Sequence, residues 1–177
     1  MNVVPTNYVI PFYNKEIDTF DYNTNSILDV ISKTPELSKF YQLVKFTNME
    51  ETLNLSSRIT IFVPNNDAFN KKVDIDLKDF LNAKNVIMSS MTRGVYSREY
   101  ILNNITYKQY NTRKGKTEFT ILPRTYHSYR PYNKLVIDKS NGMLTVNGKV
   151  NIVEESISTD NGIIHITDGI LIPEVLI

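Results

Sequence analysis

The chain has 177 residues, 41% of them hydrophobic and 22% charged, with a formal net charge of +1 and no cysteine. That length suffices for one domain with its own core, since a chain of ~150 residues buries roughly 70% of its unfolded surface. The near-neutral balance argues against a dedicated nucleic-acid binder, which carries a strongly basic face. The lack of cysteine removes thiol nucleophiles, disulfide frameworks and Cys-based zinc sites.

Met1 to Asn14 has no basic region ahead of an apolar run, so it does not read as a secretory signal. No stretch approaches ~18 continuous apolar residues, so no membrane span is expected. Pro5 and Pro11 break any helix, and residues 1–22 read as an N-terminal extension lying on a domain of residues 23–177. Ser26 and Asp29 form a capping box ahead of Ile27, Leu28, Val30 and Ile31. Thr34-Pro35 is a second helix start, followed by Leu37, Phe40, Tyr41 and Val44 at helical spacing. Asn48 and Glu51 suggest a third capping box before Leu53 and Leu55.

Ile59 to Pro64 then reads as a strand, and Asn65 to Phe69 as a tight strand-to-helix junction. Asn65 is its expected N-cap, and Asp67 in the first turn suits the helix dipole. Asp76 is expected to cap the next helix, with Leu77, Phe80, Leu81 and Ile87 inward, and Ser97 to start a helical turn through Ile101. From Thr106 onward the chain reads as β. Thr106 to Asn111 and Lys116 to Leu122 are strands, Arg124 to Asn133 is irregular, and Asn141-Gly142 and Asn147-Gly148 mark hairpin turns. Asn161 to Pro173 closes the pattern: a turn signal, a β-branched run holding His165, an Asp168-Gly169 turn signal and a terminating proline. Helices first and a mainly antiparallel sheet later make an α+β domain.

Two boxes carry a family resemblance. Thr60-Ile61-Phe62-Val63-Pro64-Asn65-Asn66-Asp67-Ala68-Phe69 and Asn161-Gly162-Ile163-Ile164-His165-Ile166-Thr167-Asp168-Gly169-Ile170-Leu171-Ile172-Pro173 together resemble the two signatures of the fasciclin-like domain family, with Leu144 to Gly148 fitting just upstream of the second. The likeness spans roughly residues 25 to 175 in a single copy. It implies a compact, sandwich-like wedge of twisted β-sheet covered by helices on one side, and a role in cell adhesion or surface attachment. Family members usually lie outside the cell or on its surface, which is the compartment implied here; without a signal segment in this chain, an intracellular location stays open. Many members carry a Tyr-His pair, associated in some animal members with integrin binding. Here Ser89 and Ser90 stand at those positions, and Glu155, Ser156 and Ile157 replace a Pro-Asp-Ile patch, so integrin binding is not carried over.

Few residues invite chemistry. Strand alternation puts Ile163, His165 and Thr167 on one face and Ile164 and Ile166 on the other, so His165 reads as a buried, hydrogen-bonded structural residue. Asp168 points to the opposite face. There is no Gly-x-Ser-x-Gly elbow, no His-Glu-x-x-His and no glycine-rich phosphate loop, so no catalytic residue, cofactor or metal is expected. Asp74, Asp76 and Asp79 superficially resemble a calcium loop but lack its glycine and closing glutamate. The suggestive run is Arg124, Tyr126, His127, Tyr129, Arg130, Tyr132 and Lys134, with Arg113, Lys114 and Lys116 nearby. Aromatics interleaved with cations can stack on sugars and pair with anionic groups, and loops on a rigid scaffold often carry recognition. Asn54 and Asn104 head glycosylation sequons. The expectation is a non-enzymatic module binding a protein or glycan partner through the basic-aromatic run. The alternative is an intracellular or particle-associated structural protein on the same scaffold.

Overall fold

The computed structural model describes residues 22–55, 58–111, 117–122, 124–129, 134–140 and 142–173, with the backbone alone of 106–111, 117–122 and 124. The expected N-terminal arm, apart from Tyr22, lies outside the described residues. Helices come first: α1 (Ile27–Lys33), α2 (Ser38–Phe46) and α3 (Glu50–Leu55) precede β1 (Ile59–Pro64). Then follow α4 (Phe80–Ser89), β2 (Met91–Arg93), α5 (Arg98–Asn104), β3 (Thr106–Asn111) and β4 (Thr117–Leu122). The chain ends in β5 (Arg124–His127), β6 (Lys134–Ser140), β7 (Met143–Val146), β8 (Val150–Ser158) and β9 (Gly162–Thr167).

The strands form one seven-stranded sheet, ordered β2-β1-β9-β8-β7-β6-β5, and a separate β3-β4 ribbon. All pairs are antiparallel except β1 with β9, which run parallel from Ile59↔Gly162 to Pro64↔Thr167. The sheet curls until its ends meet: Thr92 bridges Ser128, and the Tyr129 N–H donates to the Met91 carbonyl at 2.9 Å. It is thus one sheet bent nearly into a barrel, rather than two stacked sheets.

Burial follows strand alternation. Every residue of β1 and β9 is buried, as expected of a parallel pair covered on both faces. Ile59, Ile61, Val63, Ile164 and Ile166 pack outward against Ile27, Leu28, Phe40, Leu43, Leu53 and Ile87 of the helices. Phe62 points the other way, into the curl, among Ile101, Ile105, Tyr126, Leu135, Ile137, Leu144, Val146 and Ile152. Asn161 ties the layers together: its Oδ1 accepts the Ile27 N–H at 2.8 Å and its Nδ2 donates to the Leu53 carbonyl at 3.0 Å.

Local signals were obeyed at several ends. The Asp29 N–H donates to Ser26 Oγ at 3.0 Å, and the Tyr100 N–H to Ser97 Oγ at 3.0 Å. Asn147 and Gly148 both take positive φ, 56° and 63°, with the Lys149 N–H closing onto the Val146 carbonyl at 3.1 Å.

Three expectations are corrected. Asn48 does not open α3; it closes α2. Its φ is 56°, its N–H reaches Lys45 O at 3.2 Å, and the Met49 N–H reaches Val44 O at 3.0 Å, a Schellman cap. An N-cap needs extended backbone, which a left-handed Asn48 cannot supply. Asp76 does not cap α4 either. Asp79, three residues on, accepts the Leu81 and Asn82 N–H groups at 2.9 and 3.3 Å, while Asp76 closes the turn before it on the Lys78 N–H at 3.0 Å. Phe80 and Leu81 consequently lie exposed, and Ala83, Val86 and Ile87 form the inner face. Finally, Arg124 to His127 is a strand, because pairing with β6 supplies the ladder that its local sequence did not announce.

Candidate functional site

The basic-aromatic run flanks the seam where the sheet closes. In β5, Arg124 pairs with Ile137, Tyr126 with Leu135 and His127 with Lys134. Strand alternation therefore sends neighbours to opposite sides. Tyr126 turns inward, is only 5% exposed, and packs 4.6 Å from the Tyr96 ring. Its assignment as a contact residue is corrected: it belongs to the core, since an aromatic at the inward register position buries more area than any exposed role returns. His127 and Lys134, at the opposite register position, are exposed. Tyr129 is half-buried and packs against the helical core. Burial raises its phenol above the ordinary tyrosine value, and the nearby Arg93 guanidinium works against that rise. Arg93, exposed at the end of β2, thus joins the rim. Nothing in the sequence linked it to Tyr129, because β2 and β5 meet only through sheet closure. The Arg124 side chain is not described, and Arg113, Lys114, Lys116, Arg130 and Tyr132 lie outside the described residues.

The two sequons differ sharply. Asn54 is 4% exposed; its Oδ1 accepts the Asn23 N–H at 2.7 Å and the Ser26 hydroxyl at 3.1 Å. A glycan would have to grow from the side-chain nitrogen of a residue with almost no exposed surface, so Asn54 as a glycosylation site is corrected to a buried hydrogen-bond hub. Asn104 is half-exposed at the end of α5, where its Nδ2 donates to the Tyr100 carbonyl at 2.8 Å.

The residues at the structural positions sit as follows. Asn65 Oδ1 accepts the Ala68 N–H at 2.9 Å, and Asp67 is exposed in that turn. Asp168 grips the start of β8, taking the Asn151 N–H at 2.8 Å and the Asn151 side-chain amide at 2.9 Å. His165 is 0% exposed, stacked 5.2 Å from Phe62, with Nε2 donating to the Tyr96 carbonyl at 2.7 Å. Burial holds its pKa below the ordinary histidine value; the bond to Tyr96 opposes that, and the charge of Arg98 adds to it. Ser89 and Ser90 are both buried at the end of α4, where the Ser90 hydroxyl donates to the Val86 carbonyl at 2.9 Å.

Opposite His165 the β8 ladder breaks. Pairing jumps from Val153↔Ile166 to Ile157↔Ile164, so Glu154, Glu155 and Ser156 bulge out. Glu154 takes a φ of 60°, and its carboxyl pKa is raised by desolvation and by the charge of, and hydrogen bond to, Glu36. An open cleft of about 380 Å³ separates this bulge from α5, between Arg98, Glu99, Leu102, Asn103, Glu155 and Ser156. Among the described residues, no three His, Asp or Glu side chains converge as metal ligands, and no helix is long and apolar enough to cross a membrane.

Comparison with known proteins places these features in context. The fasciclin domain family model matches residues 35–173. Human periostin is 27% identical over 152 residues, which cover 84% of this chain and 16% of periostin. The transforming growth factor-beta-induced protein ig-h3 of Sus scrofa is 24% identical over 173 residues, covering 96% of this chain and 22% of that protein. The chain therefore spans less than a quarter of either relative's length. A solved FAS1 domain pair from the insect cell adhesion molecule fasciclin I superposes with a TM-score of 0.63 at 20% identity, covering 86% of this chain and 52% of that one.

Proposed function

The chain belongs to the fasciclin domain family, and from that premise we propose that it is a non-enzymatic attachment module, acting outside the cell or at its surface and binding a protein or glycan partner. The observation that carries this reading is the rim at the sheet seam. Arg93, His127 and Lys134 are exposed there beside Tyr129, on strands fixed by the closed ladder. The Arg93 and Lys134 cations beside a phenol ring suit a partner rich in carboxylate or sulfate, which supplies anionic groups together with a face to stack on. In the sequence, Arg113, Lys114 and Lys116, together with Arg124 of β5, Arg130 and Tyr132, extend the same chemistry along the chain. The adhesion role named for the insect structural neighbour supports the class of function.

The test is charge reversal of Arg93, Arg130 and Lys134 together. Cell attachment to the immobilised domain and retention on a heparin surface should both fall by at least roughly tenfold, or about 1.4 kcal/mol. The melting temperature should hold, since surface substitutions usually stay within about 0.5 kcal/mol each. Unchanged attachment by the folded variant would move the contact surface elsewhere.

A further inference from the structure

His165 is bound through one nitrogen only. Its Nε2–H donates to the Tyr96 carbonyl, while Nδ1 is buried and takes no hydrogen bond. The neutral ring thus costs one bare acceptor. A protonated ring would place a charge and an unaccepted N–H beside Phe62 in the apolar curl, which is far more costly. The bond to Tyr96 is therefore made by a ring that must stay neutral.

That bond sits at a joint. The Tyr96 N–H donates to Thr60 Oγ1 at 2.9 Å, and the Thr60 hydroxyl donates to the Gly94 carbonyl at 2.8 Å. Residues 94–96 therefore stay tied to β1 without the histidine; past the Tyr96 carbonyl, α5 is held to the curl by Ile101 and Ile105. The next residue, Ser97, caps α5, a helix of seven residues that leads through Ile105 into β3. On the other side His165 has no partner on β8, because the Glu154–Ser156 bulge passes it by, and the cleft keeps that bulge apart from α5.

We propose that His165 is an acid-sensitive latch: its neutral ring holds the start of α5 against the sheet, and its protonation lets α5 pivot at Tyr96, carrying the β3-β4 ribbon with it. The charged and titratable groups on the surrounding elements are Tyr96, Arg98 and Glu99 before and on α5, Tyr126 on β5, and Glu154 and Glu155 in the bulge. Of these, Arg98 opposes a charge on the ring and so sharpens the latch. Glu154, hydrogen-bonded to Glu36, has its carboxyl pKa raised by burial and by that neighbour, so it offers the ring no firm negative charge as pH falls. The latch stands on this geometry alone; its consequence for attachment, through Arg113, Lys114 and Lys116, which fall between β3 and β4 in the sequence, rests on the contact surface proposed above.

The sign follows from the depressed pKa. Above the ordinary value of 6.5 both closed and open forms are neutral, and opening does not depend on pH. Below it the open form binds a proton that the closed form refuses, so opening rises about tenfold per pH unit until the closed-form pKa is reached. Hydrogen exchange of the full chain at pH 7.5, 6.0 and 5.0, corrected for the intrinsic rate, should show residues 97–111 losing protection at that slope while β1 and β9 keep theirs. His165→Gln, whose amide can still donate to Tyr96 without titrating, should abolish the response. If that variant does not fold, NMR of the wild-type His165 ring serves instead, with the other histidine, His127, replaced by glutamine for assignment. Loss of α5 protection should then follow the ring's own titration. A pH response that survives in folded His165→Gln, an unmoved α5 while the ring protonates, or equal loss across the whole chain overturns the latch.

Discussion

Gly162→Ala tests how closely the two signature strands approach. A Cβ at that position would stand 2.1 Å from the Ile59 carbonyl oxygen, 3.1 Å from its carbon and 2.8 Å from Ile27 Cδ1. The Ile27 methyl can rotate away, but the Ile59 carbonyl belongs to the backbone of β1, directly across the parallel ladder. Carbon–oxygen contacts ordinarily begin at about 3.3 Å, so the strands must part by about 1.2 Å. Overpacking of that kind costs about 1–3 kcal/mol. Parting also stretches the Ile59 N–H bond to the Asn161 carbonyl, already 3.2 Å, at about 1 kcal/mol more. The expected loss is about 2–4 kcal/mol, or about 4–16 °C of melting temperature for a chain of this size. Urea denaturation should show a lower midpoint at unchanged slope. Gly148→Ala is the control: its φ is 63° but nothing lies within 4 Å of the new methyl. Only left-handed strain remains there, partly offset by a stiffer unfolded chain, for a net cost of about 1 kcal/mol. A Gly162→Ala variant as stable as Gly148→Ala would refute the argument from close approach.

Asn54→Ala orphans the Asn23 N–H and the Ser26 hydroxyl, so it should lose about 1–3 kcal/mol by denaturant titration. Folded protein secreted from eukaryotic cells should carry glycan on Asn104 and none on Asn54, read by glycopeptide mass spectrometry. Within β5, Tyr126→Ala should cost about 3 kcal/mol or more as a core truncation, whereas its exposed neighbour His127→Ala should stay within about 0.5 kcal/mol. Equal costs at the two positions would place Tyr126 outside the core.

Much of this fold was legible in the linear chain. Runs rich in β-branched residues at Ile59 to Pro64 and Gly162 to Thr167 announced strands, and the folded sheet buries both on each face. Alternation placed His165 apart from Ile164 and Ile166, and capping chemistry located α1, α5 and the turn after Asn65, because these signals act over a few residues and need no distant partner. Asn48 and Asp76 misled for the same reason: each has a polar side chain able to serve either end of a turn, and only the packed helices decided which. Long-range closure was invisible from the sequence. It made Arg124 to His127 a strand, turned Tyr126 inward, set Arg93 beside Tyr129 and buried Asn54 under the chain at Asn23. It also set the β8 bulge opposite His165 and hung the Tyr96 carbonyl on that ring. Local propensity fixes what each segment can become; which side chains then meet depends on register between segments more than a hundred residues apart, and only the folded sheet sets that register.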